Sequence, residues 1–158
     1  MKLASLLVLM PLAIMSVSAT ANVAQSNGDT KCTVIDSIAK KKSTTSACSF
    51  TTEMGGGNGY GVDTSEYKLK NGKKYVTNNN ATYDEGYNGK MINMEYDISL
   101  NEKPAKISHL NKKTFKAYDE KTIKRMRDKE SAELKDVLIC FSALKTKDAA
   151  FCTPLPLY

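Results

Sequence analysis

The sequence is poor in residues that build metal centres and phosphate clamps: its 158 residues include one histidine, two arginines and no tryptophan. Histidine is the commonest metal ligand, and arginine is the residue that grips phosphate groups with two hydrogen bonds. The four cysteines also lack the C-x2-C and C-x4-C spacings typical of zinc sites. We therefore expect no metal ion, no cofactor and no nucleic-acid partner.

The N-terminus has the pattern of an export signal. A short basic start precedes an uncharged apolar run over 3–17, and a small-x-small cleavage site ends at Ala21. The run contains Pro11 and falls short of the roughly 20 residues that cross a bilayer. We predict a cleaved signal peptide over 1–21, a mature chain that does not span the membrane, and a periplasmic or secreted location.

Export changes what the four cysteines mean. In an oxidising compartment an even number of cysteines predicts disulfides rather than a metal site. Four cysteines allow three pairings, but Cys32 and Cys48 flank one turn-like polar segment, and Cys140 and Cys152 flank another. If each segment is a hairpin, each pair faces across neighbouring strands at a distance that a disulfide spans. We predict the bonds Cys32–Cys48 and Cys140–Cys152.

The clearest local signal is an alternation of apolar and polar residues over 90–100. The apolar positions are Ile92, Met94, Tyr96, Ile98 and Leu100. Alternation with a period of two predicts a strand with one buried face, so we expect these five side chains to be buried.

Asn-Gly pairs at 71–72 and 88–89 predict hairpin turns, because Asn and Gly tolerate the positive φ of a type I′ turn. A third turn is predicted at 101–104. These turns set Tyr67 opposite Val76, Tyr83 opposite Met94, Ala81 opposite Tyr96, Ile107 opposite Ile98, and His109 opposite Tyr96. The segment 67–110 is therefore predicted to be an antiparallel meander.

Two further hairpins are predicted over 31–52 and 137–153, together with a helix over 119–135 that Asp119 caps. We predict a mainly β (α+β) fold: a small antiparallel meander barrel or curved sheet with one helix, closed by the disulfides. The single domain should cover 31–158, after a flexible N-terminal segment over 22–30.

Glycines at 55, 56, 57, 59 and 61 surround Asn58 and Tyr60 without forming a nucleotide-binding motif. Two interpretations stay open for this segment. It is either a flexible connection or a mobile loop that presents Asn58 and Tyr60 to a partner, since Tyr offers apolar area with a polar tip.

Lysine supplies 21 of the 23 cationic residues, and the net charge is +6. On alternate strand positions, Lys68, Lys70 and Lys73 would share a solvent-exposed face beside Tyr75. This face either protects a sheet edge from aggregation or binds an anionic partner.

His109 is the one histidine that a hydrolytic device would have to use. We interpret it as a structural, partly buried residue and assign no catalytic residue. The pairs Glu85/Glu95 and Asp84/Asp97 form only a weak candidate for a glycosidase site.

Three hypotheses for function follow. The first is an exported non-enzymatic binding protein, such as a periplasmic inhibitor or an immunity protein, whose net charge favours an acidic partner protein. The second is an envelope or surface protein that binds anionic glycan or lipid through its lysines. The third is a small hydrolase that uses His109.

Overall fold

The computed structural model describes residues 22–57, 59–85, 91–146 and 148–155. Within them the chain forms nine strands, one α-helix and one 3-10 helix, which confirms a mainly β fold with one helix. The strands are β1 (Asn22–Ser37), β2 (Lys42–Gly57), β3 (Tyr60–Leu69), β4 (Lys74–Glu85), β5 (Met91–Leu100), β6 (Lys103–Asn111), β7 (Ala117–Tyr118), β8 (Val137–Ala143) and β9 (Ala150–Pro154). The helix α1 covers Glu120–Asp128, and the 3-10 helix covers Ala132–Asp136.

The strands form one antiparallel sheet that closes into a ring. Their order is β5-β4-β3-β2-β1-β9-β8-β6, with β7 beside the end of β6. Closure depends on two residue pairs between β5 and β6, Ser99 with Pro104 and Leu100 with Lys103. Beyond them β6 pairs with β8 along seven positions, so the ring is closed at one end and open at the other.

The closed end carries four turns and is called the turn end below; their described residues are 38–41, 70–73, 101–102, and 144–146 with 148–149. Hydrogen bonds join neighbouring turns: the Ile38 N–H donates to the Asp148 carbonyl (2.8 Å), and the Leu144 N–H donates to the Pro104 carbonyl (3.0 Å). Gly72 adopts φ +82°, which explains why a glycine stands in the second turn.

Both predicted disulfides are present. Cys32–Cys48 lies inside the ring, in a buried cluster with Leu69, Tyr75 and Phe151. Cys140–Cys152 lies on the outer face of β8 and β9, in a second cluster with Ile35, Leu110, Phe115 and Leu138. The first bond therefore joins β1 to β2 on the inner face of the sheet, and the second joins β8 to β9 on the outer face.

The helix begins as predicted, since the Asp119 carboxylate accepts a hydrogen bond from the Thr122 N–H. It ends earlier than predicted, at Asp128, because Glu130 takes a positive φ of 47° and Ser131 caps the 3-10 helix. Ile123 and Met126 face the sheet and pack in a third cluster with Leu134, Val137 and Leu155. No helix among the described residues is long and apolar enough to cross a membrane.

The predicted register at Asn71–Gly72 is wrong by one residue. Tyr67 pairs with Tyr75 instead of Val76, because the loop holds one residue more than a two-residue turn would. A shift of one residue moves every side chain of a strand to the opposite face. Tyr75 is therefore inside the ring, 6% exposed and stacked on Phe151 at 4.2 Å, and its predicted place on the solvent face is wrong.

The N-terminal prediction also needs correction. Residues 22–30, expected to be flexible, form the first half of β1 and pair with β2. The glycines at 55–57 belong to β2, and Tyr60 begins β3, so this segment is a tight hairpin rather than a loose connection. The signal peptide over 1–21 and the turn at 88–89 lie outside the described residues.

Further along, the hairpin of β8 and β9 and the pairing of Ala81 with Tyr96 are confirmed. A bulge between Thr82 and Asp84 places Asp84 opposite Ile92, so the predicted pairing of Tyr83 with Met94 is absent from the described pairs of β4 and β5. The predicted pairings of Ile107 with Ile98 and of His109 with Tyr96 are wrong. In β6, Ile107 pairs with Phe141 and His109 pairs with Ile139, because β6 leaves β5 after two residue pairs.

Candidate binding surface at the open end

The open end consists of the described residues 22–26, 52–57, 59–65, 77–85 and 91–100. Its inner limit is a row of neighbouring residues across five strands: Ser26, Thr52, Ser65, Thr77 and Leu100. All other described residues are called the body. This division follows the sheet registers and separates two surfaces with different properties.

Strand β5 has a free edge at the open end. Its pairing with β6 covers Ser99 and Leu100, and no described strand pairs with this edge between Met91 and Ile98. An unpaired edge presents a row of N–H and C=O groups to which another chain can add a strand.

Exposed apolar side chains are concentrated at the same end. Seven of the eight large hydrophobic residues that are exposed lie there: Val23, Met54, Tyr60, Met91, Ile92, Met94 and Tyr96. The eighth, Leu144, lies in a turn of the body. The prediction that Ile92, Met94 and Tyr96 are buried is wrong, because β6 turns away and no described element covers this part of β5. A concentration of exposed large apolar side chains is typical of an interaction site.

The two regions differ in charge. The open end contains six acidic residues and no lysine or arginine, whereas the body contains twenty lysines and arginines against eleven acidic residues. The acidic residues of the open end are Glu53, Asp63, Asp84, Glu85, Glu95 and Asp97. Lys90 stands in the sequence between β4 and β5, outside the described residues. Although the net charge of the whole chain is +6, the open end is acidic and carries most of the exposed large apolar residues.

Hydrogen bonds join the tips of the hairpins at the open end. The Tyr83 N–H donates to the Gly59 carbonyl (2.9 Å), and the Tyr83 hydroxyl donates to the Gly57 carbonyl (3.0 Å). The ring of Tyr60 lies against Gly57, where a Cβ would come within 3.1 Å of a ring carbon. Gly57 therefore sets the position of Tyr60 on the surface.

A bulge shapes β5 itself. Asn93 has a φ of 51°, and its amide donates a hydrogen bond to the Asp84 carboxylate at 2.9 Å. The bulge lies beside a surface depression lined in part by Tyr83, Met94 and Glu95. A bulge and acidic side chains on an edge strand limit pairing with arbitrary strands while leaving the edge accessible.

The structure does not bring the predicted contact residues together. Tyr60 lies at the open end and is 36% exposed, whereas Lys68, Lys70 and Lys73 lie near or in a turn at the opposite end. Lys68 is eight steps along β3 from Tyr60, a distance of about 26 Å. Tyr75 is buried, with the Lys73 ammonium 5.0 Å from the centre of its ring. Asn58 lies outside the described residues.

Lysines dominate the turn end. Lys40, Lys41, Lys70, Lys73 and Lys145 lie in its turns, and all five are exposed. Lys74 forms an ion pair with Glu66 at 2.7 Å, so part of this charge is compensated.

His109 lies in β6 between β7 and β8, opposite Tyr118 and Ile139. Burial lowers the pKa of its imidazole, the nearby Arg127 lowers it further, and Glu120 acts in the opposite direction. Neither predicted carboxylate pair is directly opposed across β4 and β5. Asp84 lies opposite Ile92 and Asp97 opposite Asn80, whereas Glu85 lies opposite Met91 and Glu95 opposite Thr82. Among the described residues no group of three His, Cys, Asp or Glu side chains is arranged to hold a metal ion.

Comparisons with protein-family models, with curated proteins and with solved structures found no match for this chain. Its two disulfides are consistent with an oxidising extracellular compartment.

Sequence reasoning missed the open end as a surface, although the sequence contains a signal for it. No lysine or arginine occurs between Lys42 and Lys68, between Lys74 and Lys90, or between Lys90 and Lys103. Such gaps are conspicuous in a chain with 23 cationic residues, and folding brings them to one end.

Proposed function

We propose that the chain is an exported, non-enzymatic binding protein that captures a basic protein partner at its open end. The partner adds a strand to the free edge of β5, and its apolar side chains pack on Met91, Ile92 and Tyr96. The protein acts as an inhibitor or immunity-type protein in the periplasm or outside the cell, where its disulfides persist.

The observation that carries this proposal is the coincidence of three features at one end: an unpaired strand edge, exposed apolar side chains and acidic charge without lysine or arginine. Main-chain hydrogen bonds supply affinity in strand addition, and side chains supply specificity. The acidic residues favour a basic partner and repel an acidic one. The acidic partner expected from net charge is therefore replaced by a basic one at this surface.

Photo-crosslinking tests the proposal directly. We would place a benzoylphenylalanine at position 91, 94 or 96 and at position 73 of the turn end, and expose each protein to the extracellular fraction of the source organism. We expect crosslinks from the open-end positions to one protein with a pI above about 8, since charge complementarity steers such an encounter. Crosslinking only from position 73, or capture of an acidic protein at the open end, would contradict the proposal.

The chain offers a matched pair of control substitutions for the captured partner. Met91 is 53% exposed at the open end, and Leu144 is 54% exposed in the body. The two substitutions remove similar exposed apolar area, but only Met91 lies on the proposed binding surface. We therefore expect Met91→Ser to weaken binding at least about tenfold and Leu144→Ser to leave it unchanged. Equal effects of the two substitutions would show that the partner does not use the open end.

The exposed lysines of the turn end favour a second candidate function, binding of an anionic glycan or lipid. Vesicles with and without anionic lipid test it at two salt concentrations. Binding through Lys70 and Lys73 should need anionic lipid, weaken as salt rises, and fall in a Lys70→Glu/Lys73→Glu variant. Salt-insensitive binding to neutral vesicles would exclude this candidate.

A further inference from the structure

A cavity of about 480 Å³ lies inside the ring and is lined by residues of both walls. One wall is formed by β1 to β4, and the other by β8, β9 and Leu155. Pockets of about 300 to 1,000 Å³ are typical of sites that hold small molecules, and the mouth of a β-barrel is a common place for them. Met54 lines the cavity and is 44% exposed, so the cavity reaches the surface at the open end.

The lining changes in character from one wall to the other. On the first wall, Thr52, Ser65 and Thr77 form a row of buried hydroxyl groups, with Thr52 and Ser65 hydrogen-bonded at 2.8 Å. On the second wall, Ile139, Phe141 and Leu155 are apolar, and Thr153 adds one further buried hydroxyl group. Because Phe50 and Met54 add apolar surface on the first wall, a ligand that fills the space must present mostly apolar surface.

Asp63 is the one titratable carboxylate in this lining. It lies on the same face as Ser65, two residues nearer the open end along β3, and pairs directly with Met54. Among the described residues no lysine, arginine or histidine lies within 4 Å of its carboxylate, and no donor forms a hydrogen bond with it. Burial raises the pKa of Asp63 accordingly. A half-buried carboxylate without a partner is destabilising unless a cation pairs with it.

We propose that this cavity binds a small organic cation, with an ammonium group paired to Asp63 and an apolar body that extends inward toward Phe50 and Phe141. The carboxylate at the mouth recognises the charge, and the cavity beyond it recognises the hydrocarbon. This site is separate from the proposed protein-binding surface, because Met91, Ile92 and Tyr96 do not line the cavity.

Three probes that differ only in their head group test the proposal by calorimetric titration: decylammonium, decanol and decanoate. We expect decylammonium to bind at least about tenfold more tightly than decanol, and decanoate to bind most weakly, because the carboxylate discriminates by charge. Asp63→Asn should remove this preference. Asp97→Asn should retain the preference for decylammonium, because Asp97 is an exposed residue whose side chain points to the opposite face of the sheet. Equal binding of all three probes, or preference unaffected by Asp63→Asn, would overturn the proposal.

A fourth probe separates a free ligand from a side chain of a protein partner. Nα-acetyl-lysine methylamide keeps its free side-chain ammonium group on a four-carbon stem, which is too short to fill the cavity. We expect it to bind at least about tenfold more weakly than decylammonium. Equal affinity would assign the site to a lysine of a partner instead of a small molecule.

The unmodified protein provides an independent measurement if Asp63→Asn does not fold. The methyl resonance of Met54, which lines the cavity, should shift when decylammonium binds, and that of Met126, which lies on the buried face of α1 and does not line the cavity, should not. Met91 and Met94 do not line the cavity, so shifts confined to them would place the ligand elsewhere on β5 and overturn the proposal.

Discussion

The same strands have opposite properties at their two ends. Toward the turn end, β1 to β4 surround the aromatic pair Tyr75 and Phe151 and the Cys32–Cys48 bond, and their turns are joined by hydrogen bonds and carry lysines. At the open end, the continuation of these strands is acidic, its apolar side chains are exposed, and one strand edge is unpaired. The change occurs across the row of hydroxyl residues at Ser26, Thr52 and Ser65.

Stability and recognition are divided along the length of the strands. Elements that open easily have few buried apolar contacts, and binding surfaces are drawn from such elements. The body supplies a rigid base through its core and disulfides, which allows the open end to leave apolar surface uncovered.

The largest effect is expected from truncation of the core. Phe151 is 1% exposed and stacks on Tyr75, so Phe151→Ala should lower the free energy of unfolding by about 3–5 kcal/mol. Tyr96→Ala should change it by less than about 0.5 kcal/mol, because that ring is 58% exposed. Urea unfolding measures both. A loss above about 1 kcal/mol for Tyr96→Ala would show that the open end belongs to the core after all.

The disulfides should rank next. The Cys32–Cys48 bond joins residues 16 apart, and the double substitution Cys32→Ala/Cys48→Ala should cost about 3 kcal/mol by loss of the constraint on the unfolded chain. The Cys140–Cys152 bond joins residues 12 apart, so Cys140→Ala/Cys152→Ala should cost slightly less. Urea unfolding measures the free energy of unfolding of each variant, which is compared with that of the parent protein with both disulfides intact. Little change in either variant would mean that the body does not depend on its cross-links.

Local features were predictable from the sequence because their causes are local. The two disulfides follow from cysteines placed symmetrically around polar turns. The hairpin of β8 and β9 has the same origin. The pairing of Ala81 with Tyr96 agrees with the predicted register, but beyond the bulge Asp84 and Glu85 pair one residue away from it. One extra residue in the loop around Gly72 shifts the register of β4, so that Tyr75 takes the inward-facing position predicted for Val76.

Features that depend on distant elements were not predictable. Alternation over Ile92, Met94 and Tyr96 indicates which side of β5 they share, but it does not show whether another element covers that side. That outcome is decided by β6, which leaves β5 after two residue pairs to join β8. The position of Asp63 in a cavity depends likewise on the approach of β8 and β9, which lie far away in the sequence.

A third prediction concerns local opening, measured by hydrogen exchange. Amides of β5 between Met91 and Ile98 that face its free edge should exchange on the order of a hundredfold faster than amides of β8, which lies between β9 and β6. Binding of a partner along that edge should slow them selectively. Uniform protection across β5 in the free protein would mean that another segment already covers the edge.

The smallest effect is expected at the joint between two turns. The Asp148 carboxylate accepts hydrogen bonds from the Ser37 hydroxyl (2.6 Å) and the Ala39 N–H (2.8 Å), and these bonds hold its pKa below the ordinary value. An acid with a lowered pKa in the folded state stabilises the protein above its unfolded pKa of about 3.9, and the contribution is lost as pH falls through the folded pKa. Asp148→Asn should therefore lower the midpoint of thermal unfolding slightly at pH 7.

The dependence on pH distinguishes this joint from a purely geometric contact. The difference between the parent protein and Asp148→Asn should be constant above about pH 5 and vanish once Asp148 is protonated in the folded state. Ser37→Ala removes the first partner of the carboxylate, so it should have little further effect when Asp148 is already Asn. A difference that stays constant down to pH 2, or fully additive effects of the two substitutions, would mean that the charge of Asp148 does not hold the turns together.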